Sequence, residues 1–379
     1  HAVSCLPAIT GAWRQLGGGA YFMTWDRATW GFDPVLMQGL DALDPNTRIL
    51  DQSRIGAVLA GAPDALKGGP PVMAMLMQNA NSAEVAPDST LVRRGLEREG
   101  LFLAVHEQMM TATARYADIV LPATMFVEHD DLYASYGHTH IALGPKLIEP
   151  PGEARSNHWV RSELARRLGA THPGLGMTER DQIDDAFRRG GLGSLAAIEG
   201  QGWLDRAQPF DDSHFLNGFP HPEGRFRFKP DWSAIGPYAS KMPAVVDWMQ
   251  DYERATDEHP FKLVTPPARN FLNSSFTETP TSRAKEQGHG PRVRIHPAAA
   301  AAYGIGEGQG VRIGNRRGVV TLTATIDGGQ QADTLVVEGL WPAETFPGGK
   351  GINTLVGEDP VPPNGGVAFH DTAVWLQPA

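Results

Sequence analysis

Cysteine is almost absent from these 379 residues, and Cys5 is the only one. A single thiol excludes an internal disulfide, a cysteine zinc site and an iron–sulfur cluster held within this chain. Long hydrophobic runs are missing too. No apolar stretch approaches the length of a membrane span, although apolar residues make up 41% of the sequence, an ordinary share for a globular protein. Positive charge is in deficit, with 33 Lys and Arg against 43 Asp and Glu and a formal charge of −10. With no basic block, nucleic acid and anionic membranes are poor partners. A buried phosphate is still allowed, because backbone N–H groups and a few side chains hold one locally. The G-x-x-x-x-G-K-S/T, G-x-S-x-G and H-E-x-x-H signatures are absent, so kinase, serine hydrolase and zincin readings have no motif support. No carboxylate pair stands at a recognisable general-acid spacing. The chain therefore offers binding groups without an obvious catalytic group of its own.

What is present is organised around Leu101–Asp131. A short apolar run, Leu101–Val105, ends in the polar pair His106-Glu107, and a second run, Ile119–Leu121, stops at Pro122. Thr111 and Thr113 lie between them. In a doubly wound sheet such runs are parallel strands, with ligands just beyond their carboxyl ends. Val72–Met77 is a further run, and the loop after it carries Gln78, Asn79, Asn81 and Ser82. Asp88 suits the N-cap of a helix running to about Arg98, with Leu91, Val92 and Leu96 inward. Strand, helix and strand make a right-handed crossover by default. On residues alone, His106-Glu107 is ordinarily a solvated strand end and Asn81 a surface turn. Gly17–Gly19 permits a phosphate cradle, though a flexible loop is the plainer reading.

The rest is uneven. From Met23 to Gly69 the sequence is irregular. His138 and His140 would share one face of a strand, which suggests a metal, but no cysteine is near and no third ligand has characteristic spacing. Ser156-Asn157 opens a helix with Trp159, Val160, Leu164 and Leu168 inward and Gly169 as the stop. Residues 171–257 hold one helix near Asp181–Arg188 and otherwise read as a connecting subdomain. From His259 the texture changes to short strands: Phe261–Thr265, Val293–Ile295, a hairpin of Val311–Ile313 and Val319–Ile326 across Asn315–Gly318, and Thr334–Gly339. His296-Pro297 opens a short alanine helix that stops at Gly304. Many short strands with glycine turns indicate a small barrel.

Residues Thr111–Pro122 read T-A-T-A-R-Y-A-D-I-V-L-P. This closely resembles the T-x-T-A-x-x-A-D-V-V-L-P motif of the molybdopterin oxidoreductases, the dimethyl sulfoxide reductase and formate dehydrogenase family. Other segments resemble the same family: Cys5–Gly11 with the glycines after it, the P-P-G-E-A-R-S-N run ending at Asn157, and Arg269–Phe276 against R-x-x-x-N-S-S-F. So do Gly351–Leu355 and Phe369–Val374. The likeness covers nearly the whole chain, with its gap at about 171–257.

The resemblance implies an α/β fold: a partial doubly wound Rossmann-like domain over 1–170, the connecting subdomain over 171–257, and a double-psi β-barrel binding the dinucleotide over 258–379. It implies a molybdenum bis(molybdopterin guanine dinucleotide) cofactor. Asn81 falls at the guanine-recognising position, with Asn79 and Ser82 departing from the family's glycine and proline. His106 and Glu107 match the pair that contacts the dinucleotide, and Thr111, Thr113 and Asn157 join them. In the barrel the contacts would be Arg269, Asn273, Ser274, Ser275, Asn353 and His370. Arginine holds phosphate bidentately, and clustered hydroxyls and amides suit phosphate and pterin edges. His370 on residues alone is equally a satisfied barrel histidine. Asn273-Ser274-Ser275 also satisfies a glycosylation sequon, discounted for a bacterial-type enzyme.

The molybdenum ligand and the 4Fe-4S cysteines are expected upstream, so Cys5 is not the ligand and the chain, opening at His1, reads as a C-terminal fragment. The expected partners are a small-molecule substrate, the N-terminal remainder and an electron-transfer protein. The reaction is two-electron redox, nearer the formate dehydrogenase-like members, in a cytoplasmic setting with a periplasmic one left open. The alternative is a cofactor-free structural subunit of an electron-transfer complex. The polar side chains kept at Asn81, Glu107, Thr111, Thr113, Arg269, Asn273, Ser274 and Asn353 argue against it.

Overall fold

The structure is a computed structural model, and it describes residues 1–20, 31–33, 35, 39–134, 138–286 and 290–379. The chain divides into two compact units: one of residues 1–48, 121–230 and 244–247, the other of residues 49–120, 231–243 and 248–379. These units do not follow the sequence boundaries at 170 and 257. The barrel shares a unit with the strands that precede it.

In the second unit, β1 (Ala74–Gln78) and β2 (Phe102–Glu107) pair in parallel, in the register Gln78↔His106. The third strand of this sheet, β3 (Ile119–Pro122), begins there and leads into the other unit. Asp118 pins its start, giving its N–H to the Leu103 carbonyl (2.9 Å) and taking the Leu103 N–H on its carboxylate (2.7 Å). The crossover helix is Ser89–Leu96, capped by Asp88, whose carboxylate accepts from the Leu91 N–H. Its Val92 and Leu96 are buried with Met77, Leu103 and Val105. Within the stretch expected to be irregular there is a further helix, Ile55–Ala60, whose residues Gly56–Leu59 are all buried. It was missed because six residues in a Gly-Ala-rich run show no apolar period. Residues 23–30 of that stretch lie outside the described residues.

The same unit holds a closed barrel in the order β10-β8-β11-β7-β12-β9. Its strands are β7 (Phe261–Val264), β8 (Arg292–Ile295), β9 (Gly310–Asn315), β10 (Gly318–Ile326), β11 (Thr334–Val336) and β12 (Thr372–Pro378). β10–β8 and β11–β7 are parallel, and the remaining pairs antiparallel. Val320, Leu322 and Ala324 alternate inward along β10 and meet Leu263, Ile313, Leu335 and Val374 in one core. Each such side chain contributes about 1.5–3 kcal/mol on burial. Trp375 lies opposite Gly314, where a Cβ would come within 2.3 Å of the indole, so only glycine fits that place.

The first unit has its own core. β4 (Asp131–Ala134), β5 (His140–Gly144) and β6 (Trp203–Asp205) form an antiparallel sheet. Ile141 packs there with Ile183, Ala186 and Phe187 of the helix Glu179–Arg189, and with Leu195 and Ile198. Residues of the expected connector thus build a hydrophobic core rather than merely bridging one. The helix Asn157–Arg167 corrects another expectation. Trp159 is 46% and Leu168 78% exposed, and Leu164 is exposed as well; of this helix only Ser162 is buried. Its protein-facing side is polar instead: His158 Nε2 meets the Met177 carbonyl at 2.7 Å, and Gln182 reaches His158 Nδ1 at 3.1 Å.

Candidate functional site

The carboxyl ends of β1 and β2 carry the first cluster. Gln78 and His106 lie side by side in the parallel register, Nε2 to Nδ1 at 3.1 Å, and His106 is fully buried. Asn79 takes a left-handed conformation, φ 51°, and donates its N–H to the His106 carbonyl at 3.0 Å. The chain turns sharply here, into the short helix Ser82–Val85. Asn81 stands just before it. Its side-chain oxygen accepts from both the Thr113 N–H (3.1 Å) and the Thr113 hydroxyl (3.0 Å), and that hydroxyl in turn accepts from the Ala83 N–H (3.0 Å).

A backbone N–H demands an acceptor, so the Asn81 oxygen is committed and its NH2 group is what remains to offer. Asn81 and Thr113 were read as cofactor contacts. Thr113 is buried and fully engaged as a lock between two loops, while Asn81 retains donors only. Thr111 accepts from the Ala114 N–H at 3.2 Å and starts the helical turn Ala114–Tyr116. Glu107 is half-buried, with one carboxylate oxygen on the Gln108 N–H.

The barrel supplies the second cluster. A cavity of about 340 Å³ is lined by Thr265, Asn273, Asn353 and His370, with apolar walls that include Val85, Leu340, Ile352 and Phe369. His370 is exposed at its rim, Nδ1 3.1 Å from the Thr265 hydroxyl. Leu272 and Ser275 exchange both backbone hydrogen bonds (3.1 and 2.8 Å), making Asn273 and Ser274 the two tip residues of a tight turn. Asn273 there has φ 50° and an exposed side chain. Gly339, φ 70°, lets the wall close: a Cβ at this position would lie 2.4 Å from that of Ala268. Arg269 is exposed, and its guanidinium makes no hydrogen bond or ion pair among the described residues. Asn353 is different. It is 4% exposed, and its NH2 donates to the carbonyls of Glu84 (3.1 Å) and Val85 (2.9 Å).

Sequence reasoning passed over two carboxylates of this unit, Glu84 and Glu358, and read a third, Asp88, only as a cap. Burial pushes the Glu84 carboxyl up from its ordinary value, against the opposing pull of Arg93. Burial likewise raises Asp88 and Glu358. The signal that could have found Glu84 is its place two residues after the turn at Asn81-Ser82, where a carboxylate has no solvated strand or long helix to sit on. Asp88 was read as a cap, which it is.

Asn157 lies in the first unit, at the first position of its helix, with Ser156 as the N-cap. His138 and His140 have ring centroids 5.7 Å apart, and His140 stands edge-on to Trp203 at 4.8 Å. Among the described residues no group of three or more His, Cys, Asp or Glu is arranged to hold a metal ion. The Gly17–Gly19 loop gives its Gly18 N–H to the Gln15 carbonyl at 2.8 Å, which leaves that donor unavailable to a phosphate.

The residues present suit a dinucleotide in two ways. Strand ends and barrel offer donors, including Arg269 and the Asn81 NH2, and the barrel cavity combines polar edges with apolar walls. Of the polar residues expected to mark a cofactor-bearing chain, Thr113 and Asn353 have structural partners of their own.

Comparison with known proteins gives two family matches: "Molybdopterin oxidoreductase" over residues 52–167 and "Molydopterin dinucleotide binding domain" over residues 261–373. The chain is 33% identical over 393 residues to "Probable oxidoreductase YoaE" of Bacillus subtilis, covering 100% of this chain and 54% of that protein. It is 30% identical over 268 residues to the dimethyl sulfoxide/trimethylamine N-oxide reductase of Rhodobacter capsulatus, covering 62% of this chain and 32% of the relative. The chain thus spans about half or less of the length of these relatives. Acetylene hydratase from Pelobacter acetylenicus has a similar fold, with a TM-score of 0.67 at 19% identity over 86% of this chain and 46% of the other.

Proposed function

We propose, since the chain belongs to the molybdopterin oxidoreductase family, that it is the cofactor-binding C-terminal part of a molybdenum enzyme carrying two molybdopterin guanine dinucleotides. The single observation that carries this reading is the barrel cavity, walled by Phe369, Leu340 and Ile352 and edged by Asn273, Thr265 and His370. Arg269, Asn273, Ser274, Ser275 and His370 would hold the phosphates and pterin edges from the barrel. Glu107, Thr111 and the donors of Asn81 would meet the dinucleotide at the strand ends. When bound, the group supplies two-electron redox chemistry at molybdenum; these residues bind and orient it. The barrel is of the double-psi kind in this reading, which its two parallel pairs among antiparallel neighbours support.

The substrate is a small molecule oxidised or reduced by two electrons. A formate dehydrogenase-like reaction is supported by the variants at His106–Ala114 and Asn270–Phe276. Reduction of an oxide is the second reading, favoured by similar proteins named for dimethyl sulfoxide, trimethylamine N-oxide and nitrate. Assays with formate and with these oxides separate the two. The molybdenum ligand, a 4Fe-4S cluster and the contact with an electron-transfer partner belong in this proposal to polypeptide outside the chain. No helix of the described residues is long and apolar enough to cross a membrane. A cytoplasmic location is part of the proposal, tested by cell fractionation.

The central test is metal and nucleotide analysis of the natively purified whole enzyme. Molybdenum should come with twice as many guanine nucleotides, and Arg269→Ala should lower both while sparing the fold. A folded, electron-competent protein without molybdenum would instead favour the cofactor-free subunit, which the internal use of Thr113 and Asn353 makes a coherent rival.

A further inference from the structure

Polar links from four residues, Arg93, Thr113, Ala343 and Asn353, converge on the four-residue helix Ser82–Val85, which lies between the strand-end cluster and the barrel cavity. The Glu84 carboxylate accepts from the Ala343 N–H, with both oxygens at 3.3 Å, and pairs with Arg93 Nη2 at 3.3 Å. Arg93 donates to the Ala83 carbonyl (3.1 Å) and to the Gly349 carbonyl (3.0 Å). Asn353 donates to the carbonyls of Glu84 and Val85. On its other side the helix is tied through Ala83 to Thr113, and so to Asn81. Glu84 and Arg93 therefore each bind both pieces of the unit, joining residues more than 250 positions apart: Arg93 to Gly349 spans 256 and Glu84 to Ala343 spans 259. Val85, next to Glu84, is itself a wall of the cavity, which Ile352 and Asn353 also line.

We propose that Glu84, through Arg93, is a positioning residue that fixes the distance between the Asn81 end of the strands and the barrel cavity, and thus sets the cofactor site without touching the cofactor. A buried carboxylate with a weak, bifurcated acceptor role is costly to keep, and no other group of the described residues offers the Ala343 N–H a partner. The charges facing Glu84 are Arg93 from the crossover helix and Glu344 from the barrel side, the latter 3.9 Å from Arg115. Protonating Glu84 would abolish its ion pair with Arg93 and leave one carbonyl for Ala343. The inference rests on the cofactor reading above for what is positioned, but the clamp itself is independent of it.

The test uses the whole enzyme with Glu84→Ala and Glu84→Gln. Losing a hydrogen bond to a charged group predicts about tenfold faster loss of guanine nucleotide on dilution for Glu84→Ala. Glu84→Gln, which keeps an oxygen for Ala343, should recover part of that loss and abolish the pH dependence of nucleotide release below neutrality. Hydrogen exchange at the Ala343 amide, measured in the same proteins, should rise in Glu84→Ala and stay near wild type in Glu84→Gln. Unchanged exchange at Ala343 in a folded Glu84→Ala protein overturns the clamp. Raised exchange with unaltered nucleotide retention overturns the positioning role. A wild-type protein that carries no nucleotide overturns the cofactor reading, and with it that role, while exchange at Ala343 still tells that failure from a failure of the clamp.

Discussion

The two units treat most of their shifted carboxylates in opposite ways; Asp64, in the barrel's unit, is the exception, held down by Arg54. In the unit built from the parallel strands and the barrel, Glu84, Asp88 and Glu358 are half-buried, and the partial loss of water pushes each of them up. In the other unit, Asp181, Asp184, Asp205 and Glu223 are exposed and held down by hydrogen bonds, from Thr178, Arg188, Thr139 and Arg227 respectively. Most of these partners stand three or four residues away: Thr178 with Asp181, Asp184 with Arg188, Glu223 with Arg227. Glu84 and Glu358 instead reach distant pieces, Ala343 and Arg54, while Asp88 caps its own helix. Charge used locally stabilises single elements. Charge taken out of water at a seam fixes one piece against another, at a desolvation cost that a site needing a set width justifies.

The sharpest way to break this contrast is to empty the barrel core. Ile313→Ala, at a fully buried position, should cost about 2–5 kcal/mol. Exchange protection should then fall across β7–β12 while the helix Glu179–Arg189 keeps its own. Equal loss in both would mean that the units do not unfold separately. Next in size is Asn353→Ala, which strips the donor from two carbonyls and should cost about 1–3 kcal/mol. It should loosen Ser82–Val85 before it loosens the strands, as segment-resolved exchange would show.

Thr178→Ala probes the local mode. Thr178 and Asp181 form a reciprocal capping box, so its loss should cost about 1 kcal/mol, confined to the helix Glu179–Arg189. A change at the barrel would contradict the division.

The smallest effect separates the units by sign. A carboxyl raised on folding contributes stability that is present below its unfolded value and lost as pH rises through the folded one. Glu84, Asp88 and Glu358, with ordinary values of 4.5, 3.8 and 4.5, should therefore favour their unit as pH falls toward 4. A depressed carboxyl does the reverse: its contribution is present above the unfolded value and lost as pH falls through the folded one. Glu223, lowered to about 2, and its companions should weaken their unit as pH falls further, below their ordinary values of 4.5 and 3.8. Solvent screening keeps the exposed terms small. Parallel acid sensitivity of both units in unfolding experiments would remove the contrast.

The same division explains what was legible in the sequence. Strand runs, the Asp88 cap and the alternating arm Val320–Ala324 could be read because periodicity and capping are local signals. β12 was seen only as a motif, Phe369–Val374, and not as a strand, because it pairs with β7 and β9 from far along the chain. The exposed face of Asn157–Arg167 misled because its apolar residues have the right spacing, while hydrogen bonds at His158 decide which side turns inward. At the site, residue types were legible and their duties were not. Thr113 and Asn353 look like ligand groups in sequence, yet their partners lie 32 and 269 residues away. Glu84 gave only the faint signal of its place after a turn, since its meaning depends on Ala343, 259 residues away.

The most direct measurement is segment-resolved hydrogen exchange of the whole enzyme, purified from cells that make molybdopterin and from cells that cannot. Cofactor should protect residues 79–83, 107–113, 268–275 and 352–355 and the neighbourhood of His370, and leave the helix Glu179–Arg189 unchanged. Identical exchange over those segments in the two preparations would contradict the claim that this unit's strand ends and barrel cavity together hold the dinucleotide.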